Sequence, residues 1–68
     1  MKIEINGKDQ DFDELPPNLL RLLTHLGVEA QKGVAVAVND QVIPKSKWDQ
    51  KELEVGDRVE IIKAAQGG

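Results

Sequence analysis

The residues best suited to chemistry stand at the end of the chain, Gly67-Gly68, behind Ala64, Ala65 and Gln66. Glycine has no Cβ, so such an end is thin and conformationally permissive. Extended, residues 64–68 reach about 16–18 Å, enough to enter a narrow channel in another protein. An α-carboxylate titrates near pKa ~3.5, so at neutral pH it is an anion and a poor acyl donor. It can, however, attack the α-phosphate of ATP. The product is an acyl-adenylate, whose carbonyl a sulfur or nitrogen nucleophile then takes. Gly68 is therefore the candidate attachment site and Gly67 the residue that provides clearance. Two glycines alone also fit a frayed chain end. Their place, one short stretch beyond a terminal strand, favours the reactive reading.

The rest of the chain offers no catalytic set. Its 68 residues include no cysteine, no tyrosine and one histidine, His25. No thiolate nucleophile, disulfide framework or cysteine zinc site follows from such a sequence. No GxxxxGK[ST] loop is present to cradle phosphates, so ATP and Mg²⁺ would be used by a partner, and no bound cofactor is expected. Covalent chemistry would be done to this chain rather than by it. A chain this short buries only about 60% of its unfolded surface, which leaves little room for an enzyme cleft. At 40% hydrophobic and 31% charged it reads as globular. A net charge of −3 argues against nucleic acid. No apolar run approaches the ~20 residues of a membrane span. The opening Met1-Lys2-Ile3-Glu4 lacks a secretory pattern, and a cytoplasmic location is expected.

The elements that position the end follow from periodicity. Residues 1–5 alternate charged and apolar side chains, the period of a half-buried strand. Asn6-Gly7 is a strong hairpin signal. It predicts a return strand over about 8–12, acidic enough (Asp9, Asp11, Asp13) for a sheet edge. Pro17 suits a first helical turn. Leu19, Leu22, Leu23 and Leu26 then form one apolar helix face, widened by Leu20, and Gly27 closes a helix of about 17–26. Val34, Val36 and Val38 face one side of a third strand, with Ala35 and Ala37 on the other. Asn39-Asp40 turns the chain into a short strand at Val42-Ile43, stopped by Pro44. Residues 45–55 read as a surface crossing anchored by Trp48 and Leu53. Gly56-Asp57 is a turn, and 58–62 is the last strand, with Val59 and Ile61 on one face.

One leucine-faced helix must then cover one face of a mixed four- to five-stranded sheet. That is an α+β, ubiquitin-like β-grasp fold. Residues 1–63 form the domain and 64–68 a flexible C-terminal tail. The uncovered sheet face should carry Lys2, Glu4, Ala35, Ala37, Glu60 and Ile62. Ala35, Ala37 and Ile62, continued by Ala64, form the candidate partner-docking patch. Small apolar residues on an open sheet face are also ordinary. Trp48 reads as core cover, although a lone tryptophan also suits a partner anchor. Lys45, Lys47 and Lys51 interleave with Asp49, Glu52 and Glu54, as on a solvated loop. His25 has no metal or catalytic partner in the sequence and reads as a surface residue.

Three stretches carry a likeness to a known family: Val34-Ala35-Val36-Ala37-Val38-Asn39, then Val42-Ile43-Pro44 with Trp48, and Gly56-Asp57-Arg58-Val59-Glu60-Ile61-Ile62 with Gly67-Gly68. The chain resembles the ThiS family, the ubiquitin-like sulfur carriers of thiamine biosynthesis, over nearly its whole length. The Gly-Asp turn and Gly-Gly end are shared with other sulfur carriers, while the stretch from Asn39 to Trp48 points to the thiamine branch. Leu15-Pro16-Pro17 and Ala65-Gln66 depart from the family pattern. The resemblance implies that an E1-like adenylyltransferase (ThiF type) adenylates Gly68. A sulfur donor system then converts it to a thiocarboxylate, and a thiazole synthase (ThiG type) takes the sulfur. Two alternatives stay open at this point. One is a carrier for another pathway, of the molybdopterin synthase small-subunit type. The other is a non-covalent β-grasp interaction module.

Overall fold

The computed structural model describes residues 1–28 and 33–63. Five strands form one mixed sheet. They are β1 (Lys2–Ile5), β2 (Lys8–Asp11), β3 (Val34–Val38), β4 (Gln41–Val42) and β5 (Arg58–Lys63), in the order β2-β1-β5-β3-β4. β1 and β5 run parallel at the centre, with Ile5 beside Val59. The other neighbours are antiparallel. The helix, α1, spans Leu19–His25. This sheet with its single helix is the β-grasp arrangement expected from the sequence.

Both two-residue hairpin turns have the backbone that matches strand twist. Asn6 and Gly7 have φ of 51° and 81°, and Asn39 and Asp40 have φ of 52° and 68°. Positive φ at both central positions is the geometry that asparagine, aspartate and glycine tolerate best. The turns fix the register, and the register sorts the side chains. Ile3, Ile5, Val36, Val38 and Val59 face inward and are buried against Leu19, Leu22 and Leu23 of α1. Trp48 closes one end of this core, as expected; its ring is buried and its indole Nε1–H donates to the Ile43 carbonyl at 2.9 Å.

The helix begins later than its leucine pattern suggests. Pro17 lies outside it, and Asn18 is the cap, extended at φ −155°. The Asn18 Oδ1 accepts from the Arg21 N–H at 2.9 Å. The asparagine side chain satisfies a free helical N–H, which a proline at the same end cannot do. The next free donors are met from outside. Leu19 donates its N–H to the Lys51 carbonyl at 2.8 Å and Leu20 to the Trp48 carbonyl at 3.0 Å. The crossing segment thus does more than span the surface: it contains a 3₁₀ turn at Lys45–Lys47 and caps α1. Leu20, expected to widen the buried face, is exposed because the seven-residue helix presents only Leu19, Leu22 and Leu23 fully to the sheet. At its far end Gly27 has φ +75°, as a C-terminal stop requires.

The short return strand is also displaced. Its residues are Gln41–Val42 rather than Val42-Ile43, and Val42 is exposed while Ile43 packs against the core. A two-residue turn pairs Gln41 with Val38 directly, so the ladder starts one residue earlier.

Candidate functional site

β5 is the element that leads to the candidate reactive end, and it is a central strand. On one side it pairs with β3 along its whole length, from Val38↔Val59 to Val34↔Lys63. On the other, β1 reaches only to Asn6, which donates its N–H to the Val59 carbonyl at 2.9 Å. There the Asn6 side chain continues the ladder. Its Oδ1 accepts from the Ile61 N–H at 2.7 Å. Ala64, Gly67 and Gly68, singled out in the sequence, lie outside the described residues, as does the whole expected tail, 64–68.

The base of β5 is held by a polar clamp. Asp57 is the one charged side chain among the described residues that is buried. Its Oδ1 accepts from Asn39 Nδ2 at 3.0 Å and its Oδ2 from the Glu54 N–H at 2.8 Å. Asn39 in turn accepts from the Arg58 N–H at 2.9 Å through Oδ1. It also donates its own N–H to the Arg58 carbonyl at 2.7 Å. Gly56, at φ +91°, makes the bend that brings Asp57 inward. Asn39 and Asp57 were both read as turn formers. The turns are there, but so is a bond between them, 18 residues apart in sequence, which no local pattern announces. Arg58 also meets Asp40 at 2.8 Å, an exposed pair of small energetic weight.

The outward face of the sheet brings the remaining candidates together. Ala35 lies directly across from Ile62, and Ala37 across from Glu60. Ile62 is 58% exposed, Ala35 is exposed and Ala37 half-buried. The register adds one residue that sequence reading missed. Val42 pairs with Ala37 and so shares its face, 69% exposed. The signal was available, since a two-residue turn at Asn39-Asp40 fixes that pairing. Lys2 and Glu4 sit on the same face beyond β5. His25 is exposed at the end of α1, its ring 5.5 Å from that of Phe12, a contact that ties the helix end to the chain leaving β2.

The chain matches the ThiS family model over residues 2–68. It is 38% identical over all 68 residues to a thiazole synthase from Paramagnetospirillum magneticum, of which it spans 20%. Over 40 residues it is 32% identical to the sulfur carrier protein ThiS of Escherichia coli, covering 59% of this chain and 61% of that one. The chain thus spans about a fifth of the first relative and less than two thirds of the second. In the crystal structure of a thiamine biosynthesis protein (ThiS) from Geobacter metallireducens the fold recurs with a TM-score of 0.84 at 30% identity, each chain covered in full. The solution structure of a thiamine biosynthesis protein from the same organism gives 0.81 at 30% identity, over all of this chain and 88% of that one. With the β-grasp sheet, its register and a match that runs from β1 through Gly68, the chain belongs to the ThiS family.

Proposed function

We propose that this protein is a sulfur carrier in thiamine biosynthesis and that its working group is the carboxylate of Gly68. The observation that carries the reading is the family match, which extends past β5 through the Gly-Gly end rather than stopping at the folded body. The naming of one relative as a sulfur carrier and of another as a thiazole synthase supports it. In this reading the protein is a cosubstrate. An E1-like enzyme of the ThiF type supplies ATP and Mg²⁺. The Gly68 carboxylate attacks the α-phosphate, pyrophosphate leaves, and an acyl-adenylate forms. A sulfide-level donor then attacks the carbonyl, the bond to AMP breaks, and a thiocarboxylate remains. A ThiG-type thiazole synthase takes that sulfur. Ala35, Ala37 and Ile62, with Ala64 beyond them, dock the activating partner, and the location is the cytoplasm.

Intact-mass measurement tests the mechanism. Protein ending at Gly68, incubated with ATP, Mg²⁺, a ThiF-type enzyme and a sulfur donor, should gain the mass of one oxygen-to-sulfur exchange at its C-terminus. A form extended by one residue beyond Gly68 should gain nothing while giving the same amide spectrum over residues 1–63. Absence of any mass gain in both forms would leave a non-covalent module as the correct reading, and an equal gain in both would show that Gly68 is not the attachment site.

A further inference from the structure

The far edge of the sheet carries a feature that the carrier chemistry leaves unused. β4 is the edge strand and only two residues long. Ile43 donates its N–H inward to the Val36 carbonyl at 2.9 Å. Backbone groups alternate sides along a strand, so the N–H and C=O of Val42 point outward, away from β3. Pro44 has no N–H and stops a longer ladder. Beside this edge lies an open cleft of about 310 Å³, with Val42, Pro44, Lys47, Gln50 and Lys51 in its wall. Its lining includes two lysines and no acid, although the chain as a whole carries a net charge of −3. Neither lysine forms an ion pair among the described residues.

We propose that this cleft docks a short extended segment of a partner protein in which a carboxylate side chain alternates with an apolar one. Each part of the site selects one feature of that segment. The outward backbone pair of Val42 accepts a single rung of strand addition. The exposed Val42 side chain offers apolar contact to a neighbour on the same face. Lys47 and Lys51 favour a carboxylate and disfavour a basic segment. Pro44 limits the pairing to that one rung, which protects the edge from open-ended strand addition by other copies of the chain. Because both cations are near the surface, the attraction should be screened over a Debye length of about 10 Å at 0.1 M salt. The site is separated from β5 by β3, so its test is independent of any chemistry at Gly68.

The probe is an end-blocked heptapeptide alternating valine and glutamate, dye-labelled for anisotropy and unlabelled for titration into ¹⁵N-labelled full-length protein. Its counterpart alternates valine and lysine. The glutamate peptide should shift amides within 41–51, leave those of 61–63 in place and weaken with added salt. The double variant Lys47→Glu/Lys51→Glu should bind it about tenfold more weakly and prefer the lysine peptide, the scale set by losing two modest charge contacts and gaining repulsion. Both backbones keep their hydrogen bonds in that variant. Should it nevertheless fail to fold, Lys47→Gln alone should weaken binding in the same direction. No binding overturns the proposal. So do equal binding of the two peptides, shifts centred on Ala35 and Ile62, indifference to the charge changes, or self-association of the chain through the same edge.

Discussion

The two faces of the sheet are built from the same strands and serve opposite ends. Inward, Ile3, Ile5, Val36, Val38 and Val59 interlock with three leucines of α1 and with Trp48, all nearly inaccessible to water. Outward, the alternate residues of those strands are exposed (Lys2, Ala35, Glu60, Ile62) or half-buried (Glu4, Ala37). In a chain of 68 residues the total stability is only a few kcal/mol, at about 0.05–0.15 kcal/mol per residue. Stability therefore resides on one face. The other is free to vary, and its apolar members, Ala35, Ile62 and Val42, do little for the fold.

The contrast is broken or sustained most directly by one substitution on each side. Leu22→Ala empties a fully buried site under the centre of the sheet, and should cost about 2–5 kcal/mol. That is enough to leave much of the population unfolded at room temperature. Ile62→Thr keeps a β-branched side chain in the strand and removes apolar surface only from the exposed face, so stability should move by less than about 0.5 kcal/mol. Urea denaturation of both variants decides the matter. If the outward face docks a ThiF-type enzyme as proposed, the same Ile62→Thr protein should be activated more slowly by that enzyme. A large stability loss at Ile62 would show that the outward face helps to hold the domain together.

A smaller effect is expected at the clamp below β5, where neither face is involved. Asp57→Ala leaves the Glu54 N–H and Asn39 Nδ2 without their acceptor at a part-buried site, where water can replace it only in part. Stranding a fully buried donor costs about 1–3 kcal/mol, and partial access to water places this loss near the lower end. For a domain of this size the melting temperature should fall by about 4–8 °C for each kcal/mol lost. Asn39→Ala removes the donor to Asp57 and also the acceptor of the Arg58 N–H, but it leaves Glu54 paired. The two losses should therefore be less than additive in the double variant, since they share one bond. Full additivity would show that the clamp does not act as a unit.

How much of this was legible beforehand follows the range of each interaction. The alternation at residues 1–5 and 34–38, the Asn6-Gly7 and Asn39-Asp40 turns and the leucine spacing of α1 are local signals, and the sheet they predict is the one observed. The start of α1 was misplaced because two local signals competed. Pro17 suited a first turn, but Asn18 stood next to the first buried leucine and took the cap. The capping of α1 by the carbonyls of Trp48 and Lys51, and the Asn39–Asp57 bond, join segments distant in sequence, so no periodicity carries them. Val42 is intermediate. Its place on the outward face follows from the turn, but only once the turn is taken as exactly two residues long and the register counted outward from it. Of the candidate site, Ala35, Ala37 and Ile62 were legible from strand period alone, whereas Gly67 and Gly68 rest on motif and family likeness.

The smallest effect should come from the outward face at the opposite edge of the sheet. Asp11 lies across from Lys2 and meets the α-ammonium of Met1 at 3.0 Å. That ammonium also donates to the Phe12 carbonyl at 2.9 Å, closing the open end of the first hairpin. The hydrogen bond from the ammonium, then its charge and more weakly that of Lys2, hold the Asp11 carboxyl below its usual range. A carboxyl whose pKa is lower when folded than when unfolded adds stability above its unfolded pKa. That contribution is lost as pH falls through the folded pKa. Because the group is fully exposed, water and salt screen the pair and the contribution is slight. Following the Asp11 carboxyl carbon by NMR through an acid titration should give a midpoint below that of an ordinary aspartate. Acetylating Met1 should return the midpoint to the usual range while lowering the melting temperature at neutral pH only slightly. If acetylation left the midpoint unchanged, the ammonium would not be its cause. If acetylation markedly destabilised the domain, the hairpin end would belong with the inward face among the parts that hold the fold.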